Sequence, residues 1–155
     1  MFDTVNGLPV HALVVHALVG LMPLAAIATF AVAVRPSWRR FAAPVVVLDA
    51  VVVVLAFVTK ESGEALQARL SGLSGTTAAQ DHGEQGSLVP VIALVLLAAG
   101  VLTWFANRRA ALVPVAVVVA GIAGLVALVW IVRTGESGAS AVWSDVVSNT
   151  QPGGG

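Results

Sequence analysis

Four long apolar runs constrain this chain more than any other feature of its sequence. A helix needs about 20 predominantly apolar residues to cross a hydrocarbon layer of roughly 30 Å, and each run meets that length. Because backbone groups in lipid must be hydrogen-bonded within their own segment, runs of this length predict helices. We place the helices at residues 8–34, 41–59, 88–106 and 110–132. The chain is therefore predicted to be an all-α integral membrane protein that folds as a four-helix bundle.

The composition agrees with a membrane protein and disfavours several other classes. Hydrophobic residues make up 58% of the chain, charged residues make up 10%, and mean hydropathy is +0.95. Eight basic residues balance eight acidic ones, so we expect no nucleic acid as a partner. Cysteine is absent, which removes thiolate metal sites and thiol nucleophiles. We find no phosphate loop or zinc-protease helix, so an enzyme is not favoured. Redox chemistry would need a bound cofactor or metal.

The arginine distribution predicts how the helices are oriented. The turns at 35–40 ("RPSWRR") and 107–110 ("NRRA") hold five of the eight basic residues and no acidic one. Short arginine-rich turns stay on the cytoplasmic side of a membrane. We therefore expect a multi-pass protein of the inner (plasma) membrane, with both termini and the outer loop 60–87 on the extracytoplasmic side.

The sequence also repeats itself. "WRRFAAPVVV" (38–47) resembles "NRRAALVPVAVVV" (107–119), and the helices that follow end in "VTKESGEAL" (58–66) and "VRTGESGASAV" (132–142). The shared Glu-Ser-Gly at matching helix ends is the strongest part of the match. Each half contains two helices, so the two copies are predicted to run in the same direction across the membrane, as a tandem parallel repeat.

Titratable side chains are concentrated at the extracytoplasmic ends of the helices. A polar side chain is expensive in lipid, so an intramembrane histidine is a hypothesis of function. Residues five apart on a helix differ by about 140° in direction, so His11 and His16 should not both face the bundle centre. His16 lies deeper and is our inward candidate, within reach of a glutamate or of His82. The candidate ligands for a cofactor or metal are His16, His82, His11, Glu61, Glu64 and Glu136.

One acidic residue, Asp49, lies within a predicted membrane helix. It is in the cytoplasmic half of helix two, and an almost purely aliphatic stretch separates it from the histidines. A structural hydrogen bond is therefore favoured over a proton path. We predict one domain over residues 1–149 and a flexible tail over 150–155. Leu66, Leu70 and Leu73 share one helix face, which predicts a short amphipathic continuation of helix two into the outer loop.

Several of these phrases resemble an uncharacterised family of bacterial four-helix predicted membrane proteins, a domain of unknown function. The phrases are "GLPVHALVVHALVGLMPLAA", the Ser-Gly-Glu after helix two, His82, and "RTGESGASAVW", and the resemblance covers nearly the whole chain. The family's helix-one motif, Gly-x-Pro-x-His-Pro-x-x-Val-His, is matched here at Gly7, Pro9, His11, Val15 and His16, with Ala12 in place of the usual proline.

The resemblance also bears on cofactors. Relatives often carry histidine where this chain has Glu136, so a ligand shared with them would be missing at that position. The family resembles modules fused to Rieske-type iron–sulfur domains, which implies membrane redox chemistry.

Three hypotheses of function follow. The first is a redox-associated module that binds haem or a divalent metal at the extracytoplasmic His/Glu cluster. The second is an accessory or assembly subunit without a cofactor, or a homo-oligomer, in which Gly121, Ala123 and Gly124 pack against membrane partners. The third is a small proton-coupled carrier that uses Asp49.

Overall fold

The computed structural model describes residues 4–5, 7–70 and 77–150. A two-residue antiparallel pair, β1 (Thr4–Val5) and β2 (Leu8–Pro9), precedes the helices, and Gly7 takes a positive φ of 81° in the turn between them. Glycine tolerates this backbone conformation because it has no Cβ. The predicted 150–155 tail lies outside the described residues from residue 151 onward.

Five α-helices follow this hairpin. They are α1 (Val10–Val34), α2 (Ala42–Leu70), α3 (Thr77–Ser87), α4 (Val89–Ala106) and α5 (Val113–Asn149). Short 3₁₀ turns at Pro36–Phe41 and Ala110–Leu112 lie in the two arginine-containing connections, and Arg108 and Arg109 directly precede the second turn. The described residues contain four stretches long and apolar enough to cross a membrane, which lie in α1, α2, α3–α4 and α5. The all-α four-helix membrane bundle predicted from the sequence is confirmed.

The long helices form a ring in which each packs on two neighbours. Helix α1 packs on α2 and α5, and α4 packs on the same two helices from the other side of the ring, so α1 and α4 lie across a diagonal. The core is rich in alanine, including Ala25, Ala26, Ala99, Ala123 and Ala127, around a few larger side chains such as Met22 and Leu96. Small residues let membrane helices approach closely. Larger side chains such as Ile27 and Leu125 point outward, where lipid would cover them.

The small residues of α5 face inward and not toward a partner. Ala123 and Gly124 are buried, and a Cβ at position 124 would lie 3.4 Å from the backbone oxygen of Ala26 on α1. At Gly121 a Cβ would lie 3.3 Å from the ring of Phe30. The expectation that this face binds other membrane proteins is therefore wrong, because the close packing of α1 on α5 already uses it.

Two helices extend beyond the apolar runs that identified them. Helix α2 continues through Leu70 and α5 through Asn149, beyond the apolar membrane segments predicted at 41–59 and 110–132. The predicted continuation of helix two is present as far as Leu70, and Leu73 lies outside the described residues. The outer loop also contains the polar helix α3, which ends just before α4. Pro90 accounts for that break, because its ring clashes with the carbonyl four residues earlier and it has no N–H to donate. Hydropathy identifies the part of a helix that lies in lipid, but it does not show where the polar continuation of that helix ends.

The two halves place corresponding residues in corresponding contacts. Asp49 on α2 faces Gly100 on α4, and Gly124 on α5 faces Ala26 on α1. Position 124 therefore corresponds to position 49, and position 100 corresponds to position 26. The pairs Val52–Ala127 and Ala56–Ile131 follow the same register and are all buried. This correspondence agrees with the parallel tandem repeat.

Candidate functional site

His11, in the first turn of α1, points across to the polar end of α2. Its Nδ1 lies 3.0 Å from the backbone oxygen of Thr59. A carbonyl oxygen only accepts, so Nδ1 must carry the proton and donate it. The hydroxyl of Ser62 donates to the same Thr59 oxygen at 3.0 Å and lies 3.5 Å from His11 Nδ1. Neutral His11 therefore keeps an unshared electron pair on Nε2.

His82, on α3, repeats this arrangement against α5. Its Nδ1 lies 3.1 Å from the hydroxyl oxygen of Ser137, and that hydroxyl donates to the Thr134 backbone oxygen at 2.9 Å. The single proton of Ser137 is already used, so His82 Nδ1 must be the donor to this serine. Neutral His82 also keeps its electron pair on Nε2.

The two imidazoles lie edge to face at one end of the bundle, which we call the histidine end. Their ring centroids are 6.3 Å apart and their planes are inclined by 75°. Both rings are half-buried. One ring comes from each half of the repeat, so the bundle brings together two histidines that are 71 positions apart in the sequence.

Glycine residues let both rings lie against helix backbone. A Cβ at Gly63 would be 3.0 Å from His11 Cε1, and one at Gly138 would be 2.9 Å from His82 Cε1. These glycines follow the two serines directly, and together they form a Thr-x-x-Ser-Gly cradle in each half: Thr59, Ser62 and Gly63, and Thr134, Ser137 and Gly138. Positions i, i+3 and i+4 share a helix face, which is why one motif supplies both the hydrogen-bond acceptor and the glycine contact of each ring.

The role of this motif is not apparent from the Glu-Ser-Gly repeat, from which the glutamates were predicted as ligands. Glu61 and Glu136 are exposed, and the serines and glycines lie against the histidines. The signal was available in the spacing of Thr, Ser and Gly along one helix face. The hydroxyl oxygens of Thr59 and Thr134 are buried without a hydrogen-bond partner among the described residues.

The expectation that His16 points into the bundle is wrong. Its side chain is exposed, and Nδ1 hydrogen-bonds to the backbone oxygen of Ala12 one turn earlier on the same helix. The angle of about 140° between positions five apart holds, but His11 takes the inward direction. The start of α1 decides this, because Pro9 precedes its first residue and His11 lies in a regular first turn.

His16 was expected to contact a glutamate, but among the described residues no hydrogen bond or ion pair joins a histidine to Glu61, Glu64 or Glu136. Lys60 Nζ lies 2.6 Å from Glu64 and 3.8 Å from Glu61, and both glutamates are exposed. Glu136 is exposed on α5, where it lines a groove beside α3. Within the described ranges, no three His, Cys, Asp or Glu side chains converge as a metal-binding group.

Asp49 belongs to a separate site deep in the bundle. Its side chain is fully buried, and the hydroxyl of Thr29 lies 3.0 and 3.2 Å from the two carboxyl oxygens. Thr59, at the level of the histidines, is ten residues further along α2, or about 15 Å at the rise of an α-helix. The buried contacts of Asp49 therefore join α1 to α2 and do not involve the histidine pair.

Comparison with known families gives one match. Residues 7–151 match the family described as Predicted membrane protein (DUF2231). No curated protein and no solved structure is significantly similar to the chain. Because the match covers most of its length, the chain belongs to this family of predicted membrane proteins of unknown function.

Proposed function

We propose that this member of the DUF2231 family is a redox-associated membrane module that binds haem iron or a single metal ion through His11 and His82. The observation that carries the proposal is the pair of neighbouring imidazoles, 6.3 Å apart, with Nδ1 of each committed to the protein. The second nitrogen of each ring, Nε2, is then the one available to a ligand.

The hydrogen bonds around each ring support a ligand role. Histidines that bind metals usually donate their other N–H to a backbone oxygen or another acceptor, which fixes the tautomer and the ring orientation. His11 donates to the Thr59 carbonyl, and His82 donates to a serine that is itself held by the Thr134 carbonyl. Both rings are therefore oriented before any ligand arrives.

The donor set suits a centre that needs two protein ligands. Neutral imidazole is a ligand for haem iron and also for copper and zinc, so His11 and His82 would be the residues that hold such a group. A bound haem or copper ion would supply electron transfer. The chain's own part is to hold two nitrogen donors in place through the hydrogen bonds of His11 to Thr59 and of His82 to Ser137.

The orientation of the molecule completes the proposal. The arginine-rich turns lie at the opposite end of the helices from the histidine pair. By the positive-inside rule, the histidine end faces the extracytoplasmic side of the plasma membrane. The site would then exchange its metal or electrons with partners on that side.

The test uses protein purified in detergent and titrated separately with haemin, Cu²⁺ and Zn²⁺. We expect one of these to bind with a single equivalent per chain, and His11→Ala and His82→Ala to weaken that binding by at least about tenfold, the usual effect of losing a ligand or its support. His16→Ala is the matched control, because His16 lies on the same helix but is exposed. The proposal fails if none binds, or if His16→Ala weakens binding as much as the other two variants.

The second candidate is an accessory subunit without a cofactor. One observation favours it: the histidine contacts join α1 to α2 and α3 to α5, so they could serve only to hold the helices together. In that case His11→Ala and His82→Ala would lower the melting temperature while no metal or haemin bound. The carrier hypothesis has less support, because Asp49 is fully buried and already accepts from Thr29.

A further inference from the structure

A groove lies at the end of the bundle opposite the histidine pair, which we call the arginine end. It has a volume of about 330 Å³ and is lined by Phe105, Arg108, Arg109 and Leu112. Helix α4 ends at Ala106, so Phe105 belongs to its last apolar turn and the two arginines follow shortly after it. The groove therefore lies where the hydrocarbon of a surrounding bilayer meets the headgroups.

Aromatic side chains form an open apolar surface on this part of α4. Phe105 is 49% exposed and Trp104 is 36% exposed. The guanidinium carbon of Arg108 lies 5.4 Å from the centre of the Trp104 ring, in a cation–π contact that holds the charge beside this surface. Stacking occupies the face of a guanidinium and leaves the N–H groups in its plane available to an acceptor. Arg108 is therefore positioned by the protein and still able to bind an anion.

The positive charge of the groove has no counterpart in the chain. Within the described ranges, neither Arg108 nor Arg109 forms an ion pair, and the sequence has no acidic residue in either arginine-containing connection. Water can solvate an exposed arginine, but it covers the neighbouring apolar surface only at a cost in free energy. A ligand that suits the whole groove must therefore have an anionic part and an apolar part.

The internal repeat indicates that the fold does not require this groove. Position 100 corresponds to position 26, and in that register Phe105 corresponds to Ala31 and Arg108 corresponds to Val34. The first half therefore makes the same helix packing without the large aromatic wall and without the stacked arginine. Arginines in the connections are enough to satisfy the positive-inside rule, which does not account for an aromatic wall beside them.

We propose that this groove binds one anionic phospholipid. The lipid phosphate would accept hydrogen bonds from Arg108 and Arg109, because the guanidinium fork matches phosphate oxygens, and an acyl chain would cover Phe105 and Leu112. A zwitterionic phospholipid brings a cationic group that the arginines repel, and a free phosphate leaves the apolar surface uncovered. The anionic phospholipid is the class that fits both parts of the groove. This proposal is independent of metal binding at the histidine end.

The test is native mass spectrometry of the full chain in detergent, titrated with phosphatidylglycerol and with phosphatidylcholine of identical acyl chains. We expect one phosphatidylglycerol per chain, held at least about tenfold more tightly than phosphatidylcholine. One basic residue near a lipid surface contributes about fivefold in binding, so the double variant Arg108→Gln/Arg109→Gln should weaken phosphatidylglycerol binding by at least about tenfold. The double variant Arg35→Gln/Arg40→Gln is the matched control and should leave it unchanged, because it removes the same charge from the same end but does not line the groove.

A second variant, Phe105→Ala, keeps every charge and removes the aromatic wall, so it tests the apolar part of the groove separately. It should also weaken phosphatidylglycerol binding. Helical circular dichroism of each variant checks that it is folded, and Phe105→Ala decides the matter if the double arginine variant does not fold.

Three results would overturn the proposal. The first is that phosphatidylcholine binds as tightly as phosphatidylglycerol, which would mean that the arginines do not select the lipid. The second is that inorganic phosphate displaces the lipid at equal concentration, which would make this a site for a free anion. The third is that the control double variant weakens binding as much as Arg108→Gln/Arg109→Gln, which would mean that the whole arginine end attracts lipid without a defined site.

Discussion

At the scale of single residues, the two glycines beneath the imidazoles decide how closely the histidines approach the neighbouring helices. Gly63 and Gly138 lie in regular helix, where glycine costs about 1 kcal/mol relative to alanine. A Cβ would lie 3.0 Å or less from His11 or His82 Cε1. The glycines therefore serve ring packing at the expense of helix propensity.

Replacing Gly138 with alanine should consequently destabilise the protein. The added methyl group would press on His82, and overpacking of this kind costs about 1–3 kcal/mol, which outweighs the gain in helix propensity. Gly135→Ala is the control, because a Cβ there meets nothing within 4 Å, and it should be neutral or stabilising by up to about 1 kcal/mol. Thermal unfolding in detergent measures both. Equal stabilities would mean that His82 does not rest on this glycine.

At the same scale, the absence of a side chain at Gly100 leaves space for the carboxyl group of Asp49. The carboxyl group of Asp49 fills the position that a Cβ at residue 100 would take, and Thr29 donates to it from α1. The buried side chain of Asp49 on α2 thus contacts two other helices, α1 through Thr29 and α4 through Gly100.

This arrangement predicts strong coupling between positions 49 and 100. Gly100→Ala should cost about 1–3 kcal/mol by overpacking, and most of that cost should vanish in an Asp49→Ala background, where the carboxyl group is gone. A double-mutant cycle of unfolding free energies measures the coupling, which for contacting residues is about 0.5–3 kcal/mol. Gly20→Ala, with nothing within 4 Å of its Cβ, should be additive with Asp49→Ala. Additivity for Gly100→Ala as well would contradict the contact.

At the scale of secondary-structure elements, the polar ends of α2 and α5 build the histidine end. The apolar part of each helix packs in the bundle, and the Thr-x-x-Ser-Gly cradle lies just beyond it on the inward face. Lys60 pairs with Glu64 at i and i+4 on α2, a spacing at which opposite charges favour a helix. The helices therefore do not stop where hydropathy falls, and their continuation carries the cradles to the rings.

Helix α3 contributes the other half of the site because it is separate from α4. The break before Pro90 lets α3 pack mainly on α5, which brings His82 to Ser137. Trp130 on α5 reinforces this docking, since its Nε1 donates to the Gln85 backbone oxygen at 3.0 Å. An unbroken helix across this region would have directed His82 along the axis of α4.

At the scale of the whole molecule, the repeat gives the bundle two ends of different chemistry. One end holds the two arginine-containing connections, and the other holds the His11–His82 pair, Lys60 and the glutamates at the ends of α2 and α5. Because both halves run in the same direction, each contributes its cradle to the same end. A parallel repeat concentrates the titratable groups in one layer, whereas an inverted repeat would divide them between two.

The orientation of these ends in the membrane can be tested by labelling. The chain contains no cysteine, so single-cysteine variants give unambiguous signals. Gln80→Cys on α3 should react with a membrane-impermeant thiol reagent in intact cells, and Ser37→Cys in the first arginine-rich turn should react only after lysis. Both positions are exposed in the fold, so burial does not separate them. The reverse pattern would place the histidine pair on the cytoplasmic side.

The sequence by itself determined the number of membrane helices, and its matching phrases indicated the repeat. Apolar length is sufficient to count the helices, because the bilayer thickness sets the length of a spanning helix and unpaired backbone groups are too costly in lipid. It also identified His11 and His82 among the candidate ligands. The oppositely charged partner of Glu64 could be expected from spacing alone, since Lys60 precedes it by four residues.

Only the tertiary structure decided which histidine faces inward and what lies against it. The direction of a side chain depends on where α1 begins and how it is rotated against α2, and neither is encoded in hydropathy. His11 and His82 meet because the two halves pack around a common axis, which joins residues 71 positions apart. Serine and glycine are common residues, and neither predicts a site by itself. The Thr-x-x-Ser-Gly cradles are recognised only from the contacts of the two imidazole rings with them.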